Sequence, residues 1–133
     1  MYQLLLVLFC MKRQGREVKM TIDHFREHCL SLKGSTEELP FDENVLVFKV
    51  LGKMFVFCNM MTFDFCNLKC NPENAIILRE EFTEVTTAWH MNKKHWNSVS
   101  FSGDLSDHQI EQWVKDSYNL VIKNMPKKLR EQL

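Results

Sequence analysis

A chain of 133 residues is long enough to bury a substantial core and too short for two independently packed domains. Hydrophobic residues make up 45% of the chain and charged residues 26%, with only four glycines and three prolines, which excludes a disordered, collagen-like or linker-rich protein. The 17 basic residues balance 17 acidic residues, so the whole molecule has no net field that would attract nucleic acid or anionic lipid. Any basic binding site must therefore be local.

The first 19 residues differ from the rest of the chain. Tyr2–Cys10 is an apolar run of about nine residues, much shorter than the roughly 20 residues that span a bilayer. Lys12 and Arg13 follow this run rather than precede it, and no small-residue cleavage site comes after them, which argues against a signal peptide. We therefore expect residues 1–19 to be an extension or a misassigned start, residues 20–133 to form the domain, and the membrane not to be a partner.

The cysteines indicate a reducing compartment. Their number, five, is odd, and they form no C-x-x-C unit, which is typical of free thiols in the cytoplasm. Cys66 and Cys70 are separated by three residues, but no second pair of Cys or His lies at zinc-finger spacing. We expect a cytoplasmic protein without a metal or other cofactor, in which Cys29 and Cys58 pack in the core.

The first half of the domain reads as one helix followed by three strands. The predicted elements are a helix over residues 22–32, strands over residues 45–50 and 53–58, and a third strand over residues 64–70. Thr21 is a suitable N-cap, and Gly34 follows the first helix where a left-handed residue is favoured. Leu51-Gly52 is the predicted turn of a hairpin between the first two strands.

The second half adds a helix, a second hairpin and a last helix. The predicted elements are a helix over residues 72–82, extended arms over residues 86–90 and 95–101, and a helix that runs from Ser106 to Asn124. Asn71 and Ser106 are suitable N-caps, and Pro126 stops the last helix. This order of elements predicts an α+β domain with helices packed on one face of a mainly antiparallel sheet.

The densest group of chemically versatile side chains surrounds the turn of the predicted second hairpin. Residues 89–97, WHMNKKHWN, combine two lysines with two histidines, two tryptophans and two asparagines. Lysine can bind phosphates, and aromatic side chains can stack on bases. The same segment also suits a structural hairpin whose tryptophans anchor the core, and both interpretations stay open at this point.

Four stretches of the sequence closely resemble the MmcQ/YjbR family of small bacterial proteins. These stretches are HMNKKHWN, PFDENVLVFKVLGKMF, NLKCNPENAIILREEF and MPKKLREQL, and the resemblance covers roughly residues 21–133. It implies a CyaY-like, or frataxin-like, α+β fold and a DNA-binding role through a double-wing arrangement of hairpins, with no catalytic residues. Trp89 stands where the family has Tyr, and Asn124 stands where it has Gly, a change that a left-handed helix cap tolerates.

We therefore expect a monomeric, non-catalytic protein that binds DNA weakly and with little sequence preference. The residues expected to bind nucleic acid or another ligand are His90, Asn92, Lys93, Lys94, His95, Trp96, Lys127, Lys128 and Arg130. The cations of the hairpin and of the C-terminal tail can act together only if the fold places them on one face.

Other functional classes stay open beside DNA binding. The same surface would suit a binding module for a partner protein or a small anionic ligand. An enzyme would use His90 or His95 as a general base, but the sequence has no nucleophile motif, glycine-rich phosphate loop or HExxH. An iron-binding role would rest on the acidic residues Glu37, Glu38, Asp42 and Glu43, and analogy of fold is weak support for it.

Overall fold

Six strands and four helices make up the described part of the chain, which comprises residues 20–39, 44–88 and 91–133 of a computed structural model. The elements are α1 (Ile22–Ser31), β1 (Ser35–Glu38), β2 (Val45–Val50), β3 (Lys53–Asn59), β4 (Phe65–Lys69), α2 (Pro72–Glu81), β5 (Val85–Thr87), β6 (Trp96–Ser100), α3 (Asp107–Lys123) and α4 (Lys127–Arg130). The strands form one sheet in the order β1-β2-β3-β4-β6-β5, and every neighbouring pair is antiparallel. The predicted α+β class is confirmed.

The three long helices begin at the predicted caps. The side chains of Thr21, Asn71 and Ser106 each accept a hydrogen bond from the backbone N–H three residues further on, at 3.2, 2.9 and 3.0 Å. These contacts satisfy N–H groups that have no partner within the helix. The left-handed cap expected at Asn124 is wrong: this residue has φ −89°, because the chain does not reverse there but continues through buried Met125 into α4.

The predicted hairpin between β2 and β3 is confirmed, and it contains an irregularity. Leu51 and Gly52 have φ of 49° and 80°, the left-handed pair that a tight two-residue hairpin turn requires. In β3, Val56 and Met54 have cross-strand partners in β2, but Phe55 between them has none, so the strand bulges. The carbonyl of Phe55 instead accepts a hydrogen bond of 2.7 Å from Ser117 Oγ on α3.

The helices pack on one face of the sheet and enclose the hydrophobic core. Phe25 of α1 lies near its centre and contacts the rings of Phe48, Phe63 and Phe101 edge to face, with centroid distances of 6.1, 5.5 and 5.5 Å. Such ring pairs add to the stabilisation from burial alone. Helix α3 lies over the middle strands, while α2 covers β5 and β6.

The buried cysteines belong to this core, as predicted for Cys29 and Cys58. The four described cysteines are all free thiols, and Cys29, Cys58 and Cys66 are fully buried. Burial raises the pKa of each of these three thiols, to about 12 for Cys58. They are therefore protonated at neutral pH and act as small apolar packing groups.

Two elements were not predicted, and one was predicted too long. Strand β1 has the sequence STEE, with no apolar residue, and it forms only because its backbone pairs with β2. Helix α4 follows Pro126, where the sequence predicts the end of regular structure. Strand β5 covers Val85–Thr87 rather than residues 86–90. The described residues do not include 1–19, 40–43 and 89–90. The prediction that residues 1–19 are an extension therefore concerns a segment outside the described residues.

Candidate nucleic-acid interface

Antiparallel pairing gathers the described turns at the two ends of the sheet. One end carries residues 32–34, 51–52, 70–71 and 91–95, and the other carries residues 60–64, 82–84 and 101–106. The loops that meet at either end come from distant parts of the chain. Charges that are scattered in sequence can therefore form one surface.

The charges at these two ends have opposite sign. The first end, called the basic end below, carries the exposed side chains of Lys33, Lys53, Lys93 and Lys94 and the half-buried side chain of Lys69. The charged residues of the described loops at the second, acidic end are Asp64, Glu84 and Asp104. Among the described residues, no ion pair involves the five lysines. The charges of the four exposed lysines are available to a ligand, whereas the ammonium group of Lys69 lies over the Trp96 ring.

The turn that carries Lys93 and Lys94 is held by its own backbone. The carbonyl of Asn92 accepts hydrogen bonds from the N–H groups of His95 and Trp96, at 3.1 and 3.0 Å. Asn92 Oδ1 accepts the N–H of Lys94 at 2.9 Å. Asn92, Lys93, Lys94 and His95 are all exposed, so two cations and an imidazole project from an ordered turn.

Arg79 on α2 fixes this turn to the rest of the domain. Its Nη1 donates to Asn97 Oδ1 at 2.6 Å and to the Lys93 carbonyl at 3.4 Å. Asn97 is 2% exposed, and its Nδ2 donates to the Ala75 carbonyl at 3.3 Å. Arg79 and Asn97 were not among the predicted site residues. The i+18 spacing between them gives no sequence signal, because only the fold brings helix and strand together.

Trp96 has a different environment from the other predicted site residues. It is 7% exposed, and Lys69 Nζ lies 5.9 Å from the centre of its ring. At this depth the indole anchors the hairpin and is not a free platform for bases. The interpretation as a structural hairpin therefore describes Trp96 better than the interpretation as a base-stacking residue. His90 lies outside the described residues.

The C-terminal tail lies at the basic end but not beside the hairpin turn. Its cations Lys127, Lys128 and Arg130 are exposed. The chain terminus packs next to the start of β1, where a Cβ added at Gly34 would be 2.6 Å from Leu133 Cδ2. The tail thus lies near β1 and β2, whereas the turn lies beside β6. Three strand spacings separate β2 from β6, or about 14 Å.

The structure therefore adds to the predicted basic surface and divides it in two. Lys53, at the start of β3, lies between the two predicted groups in the sheet order, Lys33 lies beside the tail at the start of β1, and Lys69 lies beside the turn. The sequence contained one hint of them, since Lys33 and Lys53 each adjoin a turn glycine. Without the strand order, that hint could not be linked to residues 93 and 94.

The sequence of the chain matches a family of bacterial proteins. The family model described as YjbR matches residues 30–120, which include α2, the second hairpin and most of α3. The chain belongs to the YjbR family. It is 30% identical over 115 residues to the uncharacterized protein YjbR of Escherichia coli K12, covering 86% of this chain and 98% of that protein. The uncharacterized protein YbdF of Escherichia coli O157:H7 is 32% identical over 90 residues, or 67% of this chain and 74% of YbdF.

Solved structures of bacterial proteins have the same fold. The crystal structure of Deinococcus radiodurans protein DR2400, with a DUF419 domain, superposes with a TM-score of 0.76 at 33% identity, over 84% of this chain and 86% of that one. A Pseudomonas syringae protein superposes with a TM-score of 0.65 at 23% identity, over 76% and 98% of the two chains, which supports the fold alone. Within the described part of this YjbR-family chain, no helix has the length and apolarity needed to cross a membrane.

Proposed function

We propose that the protein is a non-catalytic, monomeric DNA-binding protein that holds phosphates at the basic end of its sheet. The observation that supports this is the separation of charge between the two ends. Exposed lysines from several turns meet at one end without ion-pair partners among the described residues, while the described loop charges at the other end are acidic. A local field of this kind attracts a polyanion although the net charge of the chain is zero.

The geometry favours binding to backbone phosphates over reading of bases. Lysine side chains on turns make point contacts with phosphates, which carry no sequence information. Helix α3 does not resemble a recognition helix, because it carries three acidic residues and only two lysines and packs on the strands β2, β3 and β4. We therefore propose weak binding with little preference for sequence.

Two further assignments are part of this proposal. We place the fold in the CyaY-like, frataxin-like class, which a six-stranded antiparallel sheet with helices on one face supports. We place the protein in the cytoplasm, which the free thiols of the four described cysteines support. A crystal structure of the full chain tests the first assignment, through comparison of the connections between its strands and helices with those of frataxins. Cell fractionation tests the second assignment.

The test is a titration of a fluorescently labelled 20-base-pair duplex at several salt concentrations. Each phosphate neutralised should change log K by about −0.9 per log unit of salt, so three or four contacts predict a slope near −3. Replacing Lys93 and Lys94 together by Ala should flatten the slope by up to about two units. Because both side chains are exposed, the melting temperature should not change.

Two matched variants distinguish the charge from other properties of the turn. Replacing both lysines by Arg keeps the two charges and should keep the slope. Replacing Lys115 by Ala removes an exposed lysine on α3 that is not part of the basic end, and it should have no effect. Undetectable duplex binding at low salt, or an unchanged slope in the double Ala variant, would show that the DNA proposal is wrong. A binding module for a partner protein or small anion would then take its place.

A further inference from the structure

A cavity of about 270 Å³ lies between the helices and the sheet. Its walls are α2, α3 and the helix-covered face of β4 and β6. The two helices meet at one end, where the rings of Phe82 and Trp113 pack edge to face with centroids 5.0 Å apart. Elsewhere α2 does not fill the space below it. It buries only Ala75, and it leaves Ile76 and Ile77 52% and 47% exposed.

The lining of this cavity is apolar inside and polar at the surface. Its buried residues include Leu68, Val85 and Val99. Asn97 also lines it, but both ends of its amide already have hydrogen-bond partners. The interior therefore offers a ligand apolar contact and no polar group in need of a partner. Its volume is near the lower limit of small-molecule sites, which are about 300–1,000 Å³.

The exposed polar residues of the lining supply the polar contacts, and they are Asn71, Asn74 and Asp116. Asp116 carries the charge at this rim, and Gln112 Nε2 donates to its Oδ1 at 2.9 Å. Burial is the largest cause of the raised pKa of the half-buried Cys70 thiol; the guanidinium of Arg79, which does not line the cavity, lowers this pKa, and the carboxylate of Asp116 raises it, so Asp116 acts on the cavity. Lys69 also lines the cavity, but its ammonium group lies over the Trp96 ring.

The charge and shape of the lining together select one class of ligand. An apolar interior favours an aromatic or branched aliphatic group, and a carboxylate at the rim favours a cation. Trp113, at the closed end, adds an aromatic surface. We propose that the cavity between α2 and α3 binds a small molecule that has an apolar, ring-sized body and a protonated amine held near Asp116. This site borders the basic end at Lys69, Cys70 and Asn71, but the turn lysines Lys93 and Lys94 do not line it, so it would function whether or not the protein binds DNA.

Cys70 provides a direct report of occupancy. It is the half-buried thiol among the four described cysteines and it lines the cavity, whereas the other three are fully buried. The experiment measures how fast an aromatic disulfide reagent labels Cys70 in a Cys10→Ser variant, with and without a probe. The probes are 2-phenylethylamine and phenylacetate, which share an aromatic body and differ in the sign of their charge.

We expect 2-phenylethylamine to slow the labelling at concentrations about two- to fivefold lower than phenylacetate, the effect of one partly exposed charge pair. Asp116→Asn should remove this preference, and Asp104→Asn at the acidic end should leave it unchanged. Rates are compared with and without probe in each variant, because Asp116 also affects the thiol itself. Leu120→Phe, which adds volume to the lining, should weaken both probes.

Three results would each overturn the proposal. They are no slowing by either probe, equal slowing by both, and a preference for the amine that persists in Asp116→Asn. A melting curve of each variant establishes that it is folded. Should Leu120→Phe not fold, the comparison between the two aspartate variants still decides the question, because both residues are exposed.

Discussion

Ser117 connects three elements through one hydroxyl group, and its removal should be costly. Its Oγ donates to the carbonyl of Phe55 at 2.7 Å and accepts the N–H of Lys69 at 2.8 Å. Ser117 itself has no exposed surface. The bulge in β3 leaves Phe55 without a cross-strand partner, so the helix supplies the contact that the neighbouring strand does not.

Ser117→Ala would leave these two backbone groups without their partner. Each unsatisfied buried group costs about 1–3 kcal/mol, so the two together should cost about 2–6 kcal/mol. The higher helix propensity of Ala returns about 0.5 kcal/mol. We therefore expect a loss of about 1.5–5.5 kcal/mol in the free energy of unfolding. For a chain of this length that corresponds to a melting temperature lower by roughly 5–20 °C.

Urea and thermal unfolding followed by circular dichroism measure this loss, with Asn119→Ala as the control. Asn119 is an exposed residue of the same helix, and its replacement should change the stability by less than about 0.5 kcal/mol. If Ser117→Ala were as stable as the control, the hydroxyl would not satisfy the bulge, and its role as a link between helix and sheet would be refuted.

Three more predictions concern single residues. Gly34→Ala should lower the free energy of unfolding by at least about 1 kcal/mol, because φ is +74° and a Cβ would lie 2.6 Å from Leu133; thermal melts that match the wild type would contradict this. The hydrogen bond that the His24 imidazole donates to the Glu111 carboxylate raises the pKa of His24 above 6.5, so the pair stabilises the fold fully below pH 6.5 and less as the pH rises through the raised value. His24→Gln should therefore cost up to about 1 kcal/mol at pH 5.5 and less at pH 8.5, and a loss independent of pH would exclude this role. Asn67→Leu should stabilise the protein by about 1 kcal/mol in urea unfolding, because Asn67 is 2% exposed, its Oδ1 has no hydrogen-bond partner among the described residues, and its Nδ2 donates to a weak acceptor, Met91 Sδ at 3.3 Å; destabilisation would show that this oxygen is satisfied.

The sequence predicted most of the fold because the main elements carry local signals. A side-chain cap begins each long helix, and Leu51-Gly52 specifies a tight turn between two apolar strands. Strand β1 has no such signal, because its residues are polar and its structure comes from pairing with β2. Short-range patterns cannot reveal an element that depends on a partner distant in the chain.

The candidate site was predicted less completely than the fold for the same reason. Lys93 and Lys94 were found because they are adjacent in sequence and flanked by unusual residues. Lys33 and Lys53 join them only through the strand order, and Arg79 reaches the turn from a helix. The depth of Trp96 also depends on tertiary packing, since an indole in a hairpin can face either side of the sheet.

The two margins of the sheet have a consequence for the behaviour of the protein at high concentration. Strands with free backbone groups at a sheet edge can pair with another molecule and start aggregation. In this sheet one margin is β5, with three residues, and the other is β1, with four. Glu37 and Glu38 of β1 form ion pairs with Arg26 and Lys49, and a second copy aligned along β1 would have to desolvate or displace these pairs. Two short margins, one of them occupied by ion pairs, thus give a second copy little backbone with which to pair.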